Sequence, residues 1–163
     1  MKIQFTPKRF RLVRIMIALV AISLAGYVAY AASTLSISNT GSVTTVGSNW
    51  QGATFAPGTV PNCATATYSD NPAIISTWSV PAGGSQTAGV CVKNISTTSH
   101  TFTVTTSALT GSVTVAYSDA TNPTPSATIT SASILAGGTD LVTVTVSAGS
   151  TSSGGLSFTT NIQ

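Results

Sequence analysis

Glutamate is absent from this chain of 163 residues, and charged side chains of either sign make up only 6% of it. Three aspartates (Asp70, Asp119, Asp140) and one histidine (His100) leave general acid–base catalysis with few candidates. A Ser-His-Asp set is arithmetically available, but no Gly-x-Ser-x-Gly elbow accompanies it. His100 sits in Ser99-His100-Thr101-Phe102, at the start of an alternating run, where a surface or turn position is the plain reading. The only methionines are Met1 and Met16, so a copper site of two His, a Cys and a Met cannot be assembled. A single His and no Cys-x-x-Cys spacing leave zinc without ligands as well. We therefore expect no enzymatic activity and no cofactor.

Positive charge is missing in a second sense. The net charge of +3 would prompt a nucleic-acid or membrane-surface reading, yet Lys2, Lys8, Arg9, Arg11 and Arg14 all precede residue 15. Beyond that point Lys93 stands alone against the three aspartates, a balance of −2. Nucleic-acid binding needs clustered Lys and Arg to displace phosphate counterions, and the body of the chain has none to cluster. A soluble monomer also keeps charge on its surface to stay apart from its copies; this chain uses Ser, Thr, Gly and Ala instead.

What is present begins at the N-terminus. The basic run is followed by the apolar stretch Ile15 to Gly26 and then by Ala29-Tyr30-Ala31. A positive region, an apolar region and a small-x-small site are the parts of an export signal, with cleavage expected between Ala31 and Ala32. Ile15 to Ala32 is 18 residues, also long enough to remain as an anchor. On the cleavage reading the membrane matters only through this segment, the mature protein is secreted, and residues 1–31 are signal peptide.

Beyond Ser33 no stretch has helical periodicity. Val90 with Val92, Phe102 with Val104 and Thr106, Val113 with Val115 and Tyr117, Val142 with Val144 and Val146, and Leu156 with Phe158 all alternate with other residues. Period-2 runs rich in Val and Thr are strands. Gly- and Pro-rich breaks such as Pro81-Ala82-Gly83-Gly84 and Asn122-Pro123-Thr124-Pro125 separate them. The spacing points to an all-β sandwich or barrel. Cys63 and Cys91, both in the exported part, read as one disulfide. Asn94-Ile95-Ser96 is the only glycosylation sequon, making Asn94 the candidate acceptor. Tyr68-Ser69-Asp70-Asn71-Pro72 is echoed by Tyr117-Ser118-Asp119 and Asn122-Pro123. Each reads as a strand end closed by an Asx turn, because calcium would want roughly six to eight oxygens and two carboxylates fall short.

Thr34 to Val46 is uncharged and free of proline, with Leu35, Ile37 and Val43 in one phase. Gly47-Ser48 follows as a hinge. In an exported chain this is a strand freed only when the signal is removed.

Two stretches carry a resemblance. Val90-Cys91-Val92-Lys93-Asn94-Ile95-Ser96 with Thr101 to Thr105 resembles the opening of immunoglobulin-like surface domains. Ile134-Leu135-Ala136-Gly137-Gly138 with the alternating Thr139 to Val146 looks like their later section. With the signal and the extended N-terminus, the chain is similar to archaeal thread and bundling-pilus subunits, and more distantly to TasA-like biofilm fibres. That resemblance implies an immunoglobulin-like sandwich over residues 49–163, preceded by a donor strand and hinge over 32–48. The strand of one subunit would fill a gap in the next, with Leu35, Ile37 and Val43 as plug residues. The partner is then another copy, in a head-to-tail homopolymer on the cell surface serving adhesion or biofilm, and beyond it other filaments or cell surfaces. Two further readings stand beside it. A type IV-like pilin would keep its hydrophobic helix, and a monomeric surface domain would fold Thr34 to Val46 back on itself.

Overall fold

The computed structural model describes residues 39–45, 49–75, 77–151 and 155–163. Among these residues eight strands account for the regular structure: β1 (Asn39–Thr45), β2 (Trp50–Phe55), β3 (Ser85–Asn94), β4 (Thr103–Thr110), β5 (Val113–Ser118), β6 (Thr128–Thr130), β7 (Thr139–Ala148) and β8 (Leu156–Ile162). Among the described residues there is no helix. The strands form two four-stranded sheets, in the orders β1-β8-β4-β6 and β2-β3-β7-β5. Every pairing is antiparallel except β1 with β8.

The alternation read from the sequence determines which face of each strand is buried. Val142, Val144 and Val146 of β7 are fully buried, as are Val90 and Val92 of β3 and Val104 of β4. Fully burying an aliphatic side chain contributes roughly 1.5–3 kcal/mol, so these valines are the main cohesive element between the layers. Phe102, Leu156, Phe158 and Ile162 complete the core from the β1-β8-β4-β6 side. One polar link crosses it. The Tyr117 hydroxyl of β5 lies 2.6 Å from Thr106 Oγ1 of β4 and 3.1 Å from Thr160 Oγ1 of β8. Burial raises the Tyr117 pKa, against the opposing pull of those two hydroxyls.

Between β2 and β3 runs a segment of 29 residues, 56–84, without a named strand. A connection of that length inside a compact fold needs anchors. Cys63 and Cys91 supply one, forming a disulfide with Cα atoms 5.4 Å apart. Pro61 supplies another by lying flat on Gly89, where an added Cβ would come within 2.3 Å of the Pro61 ring. Later in the same segment Ile75, Trp78 and Val80 turn inward and join the core.

The sheet edges are blunted. Single-residue bridges cap β1 at Ile75, β2 at Ser69 and β5 at Ser126, and β6 is only three residues long. Short or covered edges keep a sheet from pairing with its copies.

Candidate functional site

Among the described residues no group of three or more His, Cys, Asp or Glu could hold a metal ion. Two surface hollows, of about 430 and 290 Å³, are lined by Gly, Ser, Thr, Ala, Pro and aliphatic side chains. His100 rests edge-on to Trp50, with its Nε2 2.9 Å from Thr98 Oγ1. The ammonium of Lys93 lies 5.4 Å from the centre of the Tyr68 ring, on the outer side of β3. Asp119 accepts hydrogen bonds from the Thr121 and Asn122 amides and closes the end of β5 as an Asx turn. Asp70 accepts one from Gln51 Nε2, at 3.0 Å.

Asn94, the candidate glycan acceptor, lies in the interior of the fold. It is completely buried. Its Nδ2 donates to the carbonyls of Thr98 (2.7 Å) and Ile134 (2.9 Å), and its Oδ1 accepts from the Ser96 amide and hydroxyl. Nδ2 already serves two carbonyls, so a glycan bonded to it would have to open this loop clamp. The Ser96 that completes the sequon is one of the residues Asn94 holds.

The arrangement with the most to do is the seat of β1. One edge of that strand runs parallel to β8, with Gly41 opposite Phe158 and Val43 opposite Thr160. On the other edge Gly41 exchanges both backbone hydrogen bonds with Ile75, at 3.0 and 2.8 Å. Beneath lies a floor of two rings, Trp78 and Phe158, 5.9 Å apart and tilted by 57°. Trp78 is 2% exposed and Phe158 3%. Val43, also 3% exposed, enters the core beside them. At Gly41 a Cβ would stand 3.0 Å from both Phe158 Cζ and Trp78 Nε1. The Trp78 indole N–H is buried and has no hydrogen-bond partner among the described residues, a state that ordinarily costs about 1–3 kcal/mol.

Of the residues singled out as plug, Val43 lies in this seat, whereas Leu35 and Ile37 lie outside the described residues, as do Ala31, Ala32 and Gly47-Ser48. Gly41, Ile75 and Trp78 are the members that sequence reading missed. Gly41 shares the phase of Val43, so alternation could have found it. The pattern Trp78-x-Val80 carries the same signal for the floor.

The fold and this seat define a class: a disulfide-stapled all-β protein of two packed sheets in which the first described strand, β1, closes a sheet edge. The disulfide fits an oxidising compartment, and no helix among the described residues is long and apolar enough to cross a membrane. No known family matches the sequence, and no characterised protein is recognisably related to it.

Proposed function

We propose that the protein is the structural subunit of an extracellular filament, polymerising by exchange of its first strand between copies. The observation that carries this is the identity of the strand that β1 replaces. An immunoglobulin-type sandwich sets strands A, B, E and D in one sheet and C, F and G in the other. The order β2-β3-β7-β5 reads as A-B-E-D, and β4 and β8 read as C and F. The position beside F belongs to G, the strand that follows F in such a chain. Here it is occupied by β1, which comes first in the chain and runs parallel to β8. On this reading the immunoglobulin-like body has a vacancy that an N-terminal strand fills.

A strand that can fill the vacancy in its own chain can fill it in another, which is domain swapping, and head-to-tail repetition of such a heterologous contact builds an open filament. Extended-strand addition of this kind joins ladder hydrogen bonds to side-chain pockets. Four residues, 46–49, join β1 to β2. Fully extended, that link spans at most about 17 Å, so donor and acceptor bodies would touch and the filament would be stiff. Low surface charge supports the reading, since copies that must pack have no use for mutual repulsion. A cleaved signal supports it too, because it would free the donor segment only outside the cell.

A second reading is favoured by one specific observation, the pairing of β1 with its own chain. A secreted monomer in which the strand stays at home is the form that pairing describes. Deleting residues 34–46 separates the two. A filament subunit so truncated should no longer polymerise but should take up a synthetic 34–46 peptide, and the full chain should form fibres visible by electron microscopy. A full chain that remains monomeric at every concentration refutes the filament.

A further inference from the structure

The seat of β1 is selective as well as receptive. Both edges of the strand are fixed, by the β8 ladder on one side and the Gly41–Ile75 pair on the other. The backbone at Gly41 therefore cannot lift away from the floor. That floor cannot yield either, because Trp78 and Phe158 are packed on all sides. A Cβ at position 41 would stand 3.0 Å from Phe158 Cζ and Trp78 Nε1, inside the optimal separation of non-bonded heavy atoms, so the rings would have to give way. Two positions on, the seat takes an aliphatic side chain, Val43, into the core. Other Gly-x-Val sequences are 26–28, in the expected export signal, and 58–60 and 111–113, where the glycines have φ of 80° and 96°, turn conformations that no strand presents.

We infer that this seat reads its occupant through a glycine notch: it admits a strand carrying Gly at the Trp78–Phe158 position with an aliphatic residue two places on, and rejects strands bearing a side chain there. The partner so selected is a second copy of this chain, through its Gly41-Ser42-Val43. The inference rests on the filament reading above and adds what makes the exchange specific. Apolar strands abound in extracellular material, and a seat that asked only for hydrophobic alternation would accept many of them.

The test adds two synthetic peptides in excess to the full chain, one with the native 34–46 sequence and one with Gly41→Val. Neither peptide has to fold, so a misfolded variant cannot confuse the result. The native peptide should suppress polymerisation, read by light scattering and electron microscopy, and the Gly41→Val peptide should be at least about tenfold less effective, as overpacking of a closed site requires. Equal suppression by both overturns the notch while leaving strand exchange standing. Polymerisation untouched by either peptide overturns both. Should the full chain never polymerise, the filament reading falls, and the Gly41→Val full chain decides the notch alone: a melting temperature several degrees below wild type supports it, and an unchanged one overturns it.

Discussion

The side chain of Asn94 makes four hydrogen bonds, reaching Thr98 and Ser96 in the loop after β3 and Ile134 in the loop before β7. Its own backbone bonds Gly137 and Gly138. Asn94→Ala removes the clamp and leaves its partners to re-pair inside a closed site, so we expect a loss of about 2–4 kcal/mol in denaturant unfolding. Mass spectrometry of native material should find Asn94 unmodified; a glycan there contradicts the fold as described. Asp140 gives a pH-dependent counterpart. Burial raises its pKa above the ordinary 3.8; the Leu141 amide opposes this, and the charge of Asp119 adds to the rise. A carboxyl with a raised folded pKa contributes its full stability below pH 3.8 and loses it as pH climbs through the folded value. Asp140→Asn should therefore match or exceed wild type in melting temperature at pH 7 and lose that relative gain in acid below pH 3.8. A difference curve that runs the other way refutes the burial argument. Neither role was legible in the sequence. Asn94 offered a sequon, and only the three-dimensional course of two loops turned it into a clamp.

At the scale of elements, the Val- and Thr-rich strands were readable because each buries one face, and period-2 patterning records that directly. Thus β4, β5, β7 and β8 fall where Phe102, Val113, Val142 and Leu156 begin their alternations or close by. The three-residue β6 and the irregular 56–84 segment left no such trace. Their positions come from single bridges, from Pro61 on Gly89 and from the disulfide, all of which are long-range. The pairing of Cys63 with Cys91, expected from count and compartment, closes a loop of sequence separation 28. By chain entropy such a loop is worth roughly 3–4 kcal/mol. Reduction, or a double Cys→Ser change, should lower stability by about that much and expose residues 56–68 to proteolysis while β7 stays protected. Unchanged unfolding under reductant contradicts that estimate.

For the whole molecule, the charge distribution makes a prediction independent of the fold. If the signal is removed at Ala31-Ala32, five bases leave and the net charge passes from +3 to −2. Secreted material should then focus as an acidic protein with an intact mass starting at Ala32. A chain that begins at Ile15, or keeps residues 15–31, moves the reading to a pilin or an anchor. The all-β character, the burial of alternate valines, the availability of one disulfide and the scarcity of ionisable groups were all legible before any fold was known. These follow from composition and local period, which one chain carries in full. Only the tertiary contacts settle which strand lies beside β8, that Gly41 meets two aromatic rings, and that β1, β2 and β5 are each bridged by a single residue from outside the strands. Local alternation says which face of a strand is apolar but is blind to its neighbour. Strand order is set by the packing of side chains far apart in sequence.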